Sequence, residues 1–141
     1  MTGLQRLPDW QVRLQRWLLG LPVRPLQPGQ HDCCLFMAGA VAAQTGVDLA
    51  APFRGRYTTF AGGRRVLRRA GYADHVALVA AYLTEGPVAA ALPGDIAIVP
   101  GEDGPAGGVV QGGAVYVLGA SGRLALVPMA PVIRLFLLGA R

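Results

Sequence analysis

An α+β domain, helices first and an antiparallel sheet second, is the fold class this chain predicts. Residues up to about 83 carry apolar positions at helical spacing, punctuated by capping residues, proline and glycine. After Pro87 the pattern shifts to short β-type runs separated by glycine-rich turns. Within that half, Ser121-Gly122 lies between Tyr116-Val117-Leu118 and Leu124-Ala125-Leu126, a clear hairpin signal. Segregated helices and strands of this kind make an α+β arrangement. At 141 residues, with no internal repeat, the chain reads as one domain over 1–141, long enough to bury a core.

The first predicted helix spans about 8–19. Trp10, Leu14, Trp17 and Leu18 fall at i, i+4, i+7 and i+8, while Gln11, Arg13, Gln15 and Arg16 occupy much of the other side. Pro8 near its start and Gly20 past its end are the expected punctuation. Residues 21–29 hold three prolines and a glycine and read as an extended connector. The second helix, 33–46, is apolar or small nearly all round, so it is the predicted central helix. A loop over 47–59 contains Phe53-Arg54-Gly55-Arg56-Tyr57. Helices over about 61–70 and 75–83 follow. Strands are predicted at 95–99, 109–118, 123–128 and 132–138, with 101–113 as the most flexible loop by composition.

Composition narrows the functional classes. Mean hydropathy is +0.40 and charged residues make up 15%, against about 25% in average domains. No apolar run reaches the roughly 18 residues of a membrane helix, and the first ten residues lack the layout of a signal peptide. Apolar surface without a membrane segment points to burial against other proteins in an assembly. Net charge is +5, and every basic residue other than histidine is an arginine. Six arginines lie between Arg54 and Arg69. The like-charge pairs Arg64/Arg68 and Arg65/Arg69 are unfavourable at that spacing, which points to acidic groups meeting them elsewhere. A nucleic-acid motif is absent and nucleic acid is disfavoured as a partner. Two adjacent cysteines offer neither a structural disulfide nor zinc-site spacing, so no metal and no cofactor are expected.

Residues 29–46 are the most informative stretch. Asp32 can cap the apolar helix, which puts the Cys33 thiol in the first turn, where unpaired N–H groups and the helix dipole favour a thiolate. Pro93-Gly94-Asp95-Ile96 begins the sheet, and Val115-Tyr116-Val117-Leu118-Gly119 is a strand ending in glycine. Together these resemble the NlpC-type branch of papain-like cell-wall peptidases and amidases. In that branch the nucleophile follows an Asp in an Asp-Cys-Ser-Gly-like motif, and a Pro-Gly-Asp-Leu-like motif opens the sheet. The catalytic His sits in a His-Val-Gly-Ile-Tyr-Leu-Gly-like strand. The Trp-bearing first helix, His31-Asp32-Cys33-Cys34 and Phe53-Arg54-Gly55-Arg56-Tyr57 are more similar to small phage and prophage tail proteins related to this superfamily, encoded beside tail-tip and hub components.

The resemblance implies a papain-like, NlpC-type core with a buried Cys-bearing helix and a small antiparallel sheet. It implies a tail-tip structural component of a phage or phage-like particle, assembled in the bacterial cytoplasm and located in the virion tail. The partners would be other tail-tip and hub proteins. The alternative is an active cysteine peptidase or amidase cutting peptidoglycan stem peptides as the particle penetrates the wall. Cys33 is then the nucleophile. Counting back from Gly119 places the family His near Gly113, where the sequence reads Val110-Gln111-Gly112-Gly113-Ala114, and no His follows His75. The remaining candidates are His31, two residues before Cys33; His75, on another helix; and Gln111, which can orient a group but cannot act as a base. Asp32 reads first as a helix cap, Asp95 as an anchor at the start of its strand, and Arg54 with Arg56 as a clamp on carboxylates or carbonyls.

Overall fold

A computed structural model describes residues 4–102 and 104–139. Four helices, α1 (Trp10–Leu19), α2 (Cys33–Thr45), α3 (Phe60–Arg69) and α4 (His75–Ala80), precede most of the sheet. Six strands, β1 (Thr84–Gly86), β2 (Ile96–Gly101), β3 (Gly104–Gln111), β4 (Ala114–Leu118), β5 (Leu124–Pro128) and β6 (Arg134–Leu137), form one antiparallel sheet in the order β1-β6-β2-β3-β4-β5. The α+β class is therefore as the sequence predicts.

The central helix is α2. Asp32 caps its start, and Gly46 closes its end at φ 79, a left-handed conformation that costs glycine little. Residues 35–41 are all buried, which is why no polar stripe shows in this segment. Helix α1 lies against it through Leu14 and Leu18, and the Trp17 ring meets Phe36 at a centroid distance of 5.1 Å. That approach requires Gly39: a Cβ there would sit 2.5 Å from the Trp17 ring. On its other side α2 packs on β3, where a Cβ at Gly107 would fall 2.6 Å from Met37 Sδ. Glycines thus set the depth at which α2 is held between α1 and the sheet.

Both faces of the sheet are buried. Ile96, Ile98, Val109, Leu118 and Phe136 face α2 and join its core. Ala97, Val99, Val110, Val115, Val117 and Leu135 form a second cluster on the opposite face, covered by Val88 and Ala91 around a 3-10 turn at Val88–Ala90 and by Met129 and Val132. This explains why β2 reads Ile-Ala-Ile-Val without polar alternation. Gln44, wholly buried in α2, ties the layers together. Its amide donates to the Gly94 carbonyl at 2.8 Å and its oxygen accepts from Arg6 Nε at 2.9 Å.

Several expectations are corrected. The segment 101–113 is largely strand β3, because its glycines and alanine lie where α2 and the neighbouring strands crowd in; Asp103 lies outside the described residues. The run 109–118 is two strands joined by a turn at Gly112-Gly113. The short strand β1 has no alternation signal of its own and exists by pairing with β6. Helix α4 ends at Ala80, and β6 covers 134–137. The predicted hairpin is β4–β5, with Leu118 opposite Leu124 and Gly122 at φ 80.

Gly39→Val would drive a branched side chain into Trp17 and is expected to lower unfolding stability by about 1–3 kcal/mol or more in urea titrations. Gly113→Ala, where a Cβ meets nothing within 4 Å, should leave the urea midpoint unchanged.

Candidate functional site

The site is organised from Asp32 outward. This carboxylate is 3% exposed and accepts three hydrogen bonds. Oδ1 accepts from the Leu35 N–H at 2.9 Å, and Oδ2 accepts from the Gly29 N–H at 2.8 Å and the Tyr57 hydroxyl at 2.6 Å. The first bond caps α2, the second closes the turn before it, and the third brings in the loop that precedes α3. The Gly55 N–H donates to the Gly29 carbonyl at 2.9 Å, so that loop is attached at two points. Gly29 has φ 84 and lies so close to the Tyr57 carbonyl that no other residue fits.

The first turn of α2 opens into a cleft of about 670 Å³. Cys33, Cys34 and Tyr57 line its floor, and α3 contributes Phe60, Gly63, Arg64 and Leu67. The opposite wall comes from Asp74 and His75, from the β2–β3 hairpin including Pro105 and Ala106, and from Val117 to Ala120. Charged groups of both signs line it: Arg64 on α3, and Asp32, Asp74 and Glu102.

The candidate residues part company here. Cys33 is half-buried and lines the cleft at the start of α2. His75 lines the same cleft, and its Nε2 donates to the Pro105 carbonyl at 2.8 Å. His31 does not line it. Its ring is buried, with Nε2 donating to the Gly122 carbonyl at 2.7 Å, so it braces the β4–β5 turn against the chain leading into α2. Gln111 ends β3 opposite Ala114, six residues beyond Pro105, or about 20 Å along the strand. Asp95 is wholly buried and accepts from the Leu92 and Leu138 N–H groups at 2.9 and 3.0 Å. Arg54 clamps Asp48 through two bonds, at 2.6 and 3.1 Å. Among the described residues, Arg64, Arg65, Arg68 and Arg69 of α3 make no ion pair, so any acidic groups that meet them are not found there.

The two thiols differ in environment. Burial, and secondarily the Asp32 carboxylate, pushes Cys34 up to about 12 from an ordinary 9.0, which leaves it a neutral packing residue at physiological pH. Burial and the hydrogen bond to Asp32 hold the Tyr57 phenol well above its ordinary range. Among the described residues, no group of His, Cys, Asp and Glu is arranged to hold a metal ion. Among the described residues, no helix is long and apolar enough to cross a membrane either.

Sequence reasoning missed Tyr57 as the partner of Asp32, Gln44 as a cross-link, and Asp74 and Glu102 in the cleft lining. Only Asp74 carried a local signal, as an Asp immediately before a helical run; its Oδ1 caps the Ala77 N–H at 2.8 Å.

Residues 5–138 match a protein family described as Domain of unknown function (DUF6950). The chain belongs to that family. No curated protein matches it, and no solved structure matches it.

Asp32→Ala removes a cap and strands two N–H groups and a phenol; a stability loss of about 2–4 kcal/mol is expected by urea unfolding, against about 1 kcal/mol for Tyr57→Phe. Cys34 and Tyr57 both have folded-state values above their ordinary ones. Stability should therefore be complete below about pH 9 and fall as pH rises further, when the unfolded chain ionises first. Cys34→Ala with Tyr57→Phe should flatten that decline in thermal melts between about pH 9 and 11.

Proposed function

We propose that this protein is a papain-like, NlpC-type domain in which the thiol mount is kept and the family's catalytic base is not. It would serve as a structural component of the tail tip of a phage or phage-like particle. The observation that carries this reading is the strand facing the thiol. If the strand paired with the one that Pro93-Gly94-Asp95-Ile96 opens is taken as the His-bearing strand, that strand is β3. In a His-Val-Gly-Ile-Tyr-Leu-Gly-like pattern the Gly is two residues after the His. Gly107 is the β3 residue pressed against α2, and two residues before it stands Pro105, on the same sheet face. On that alignment the His position falls at Pro105; counted back from Gly119 it falls near Gly113, in the turn at the far end of β3. Proline has no proton-accepting side chain. His31, the imidazole nearest in sequence, is engaged with Gly122 outside the cleft. Exposed apolar side chains on α1 and nearby, Val12 at 50%, Leu19 at 77% and Val23 at 69%, support contact with neighbouring subunits.

A second reading rests on His75. It shares the cleft with Cys33 and bonds the carbonyl of Pro105. Were its ring to reach the thiol when substrate binds, the pair could act as nucleophile and base on peptide or amide bonds.

The two readings separate in one set of assays on purified particles and purified protein. The structural reading expects the chain at a fixed ratio to other tail proteins, with Cys33→Ala and His75→Ala leaving assembly intact and no peptide released from peptidoglycan. Release of stem peptides that disappears in both variants would establish the hydrolase instead. A chain absent from particles would overturn the tail-tip assignment.

A further inference from the structure

The outer face of α3 carries a charge pattern that no ion pair among the described residues explains. Arg64, Arg65, Arg68 and Arg69 are all exposed. At about 100° per residue they fall within an arc of about 140°, with the two i, i+4 pairs stacked on successive turns. Like charges at that spacing weaken a helix, and none of the four has an ion-pair partner among the described residues. The buried side of the helix, with Gly63 and Leu67, would pack equally well under a neutral outer face.

The chain holds little acid with which to answer them. Of its eight acidic residues, Asp9, Asp48 and Glu85 are paired with Arg13, Arg54 and Arg134. Asp32 and Asp95 are buried and accept backbone or phenolic hydrogen bonds. Asp74 and Glu102 are the other acids among the described residues, and both line the cleft. A second copy of this chain has the same shortage, so it does not complement α3.

Beside Arg64, one turn earlier in the same row, Phe60 is 47% exposed. An aromatic ring edged by arginines is the side-chain set that anchors protein interfaces. Nucleic acid fits less well, because four charges on a ten-residue helix fall short of the roughly six to ten phosphate contacts of typical binders. In the wider 54–69 cluster Arg54 is already held by Asp48.

We infer that the outer face of α3 is a docking surface for an acidic face of a different protein, with carboxylates meeting Arg64, Arg65, Arg68 and Arg69 and an apolar residue covering Phe60. Phe60 and Arg64 also line the cleft, but the inference does not depend on whether Cys33 is catalytic.

The test is fluorescence anisotropy of the whole protein with three labelled probes, in low salt and at about 0.15 M ionic strength. One probe is a helical peptide with four glutamates along one face and a leucine beside them. The second is its scramble with the same net charge, and the third is single-stranded DNA of that charge. The face-aligned peptide should bind about tenfold or more tightly than its scramble, and more tightly than DNA. Arg64→Gln with Arg68→Gln, and Arg65→Gln with Arg69→Gln, should each weaken it several-fold, with melting temperatures unchanged or raised because repulsion on the helix is relieved. Phe60→Ala should weaken binding without changing its salt dependence. Equal affinity for aligned and scrambled peptides would overturn the inference, as would tighter binding to DNA or binding indifferent to both double substitutions.

Discussion

The carboxylate of Asp32 is the point on which this structure turns. A buried carboxylate is tolerable only when its oxygens are satisfied, and here one backbone N–H of α2, one of the preceding turn and the Tyr57 phenol share the task. The same three bonds fix where α2 begins, how the connector enters it and where the 47–59 loop lies. Cys33 owes its place at the cleft to this arrangement, and so does the neutral, buried state of Cys34. A residue recognisable as a helix cap thus also acts as the junction of three segments.

Helix α2 and the sheet constrain each other through what is absent from their contact. Glycines at 39 and 107 let Trp17 and Met37 close the gaps on the two sides of the helix. Gln44 spends its amide on a layer-to-layer bond, without which the Gly94 carbonyl and Arg6 would lose a partner. The second apolar cluster, on the sheet face away from α2, needs no further helix, because the 3-10 turn and the 129–132 segment cover it. This economy leaves apolar side chains such as Leu126 and Ile133 at the surface.

Polar function is concentrated on the side of the molecule where α2 starts. The cleft there is mainly apolar, with a thiol on its floor and charges of both signs in its lining. The two histidine candidates have separate duties: His31, outside the cleft, braces the β4–β5 turn, and His75, in its lining, bonds the Pro105 carbonyl of the β2–β3 hairpin. Alongside, α3 exposes four arginines that have no ion-pair partner among the described residues. Arg64 belongs both to the lining of the cleft and to this charged helix face.

Local rules were enough for much of this. The caps at Asp32 and Gly46, the amphipathic α1, the apolar α2, the Ser121-Gly122 hairpin and the order of helices before sheet all follow from interactions within a few residues, and such interactions are written in sequence. The role of β3 was not legible, because a glycine-rich strand has the composition of a loop until a helix and two strands crowd it. Nor were the Tyr57–Asp32 bond, the diversion of His31 to Gly122, the approach of His75 to Pro105 or the isolation of the α3 arginines. Each of these joins, or leaves apart, residues tens of positions distant, so only tertiary packing could decide them. The sequence by itself determined where a thiol would be mounted on a capped helix. The tertiary structure decided what faces that thiol, because the opposite wall is assembled from strands and helices whose positions no local signal encodes.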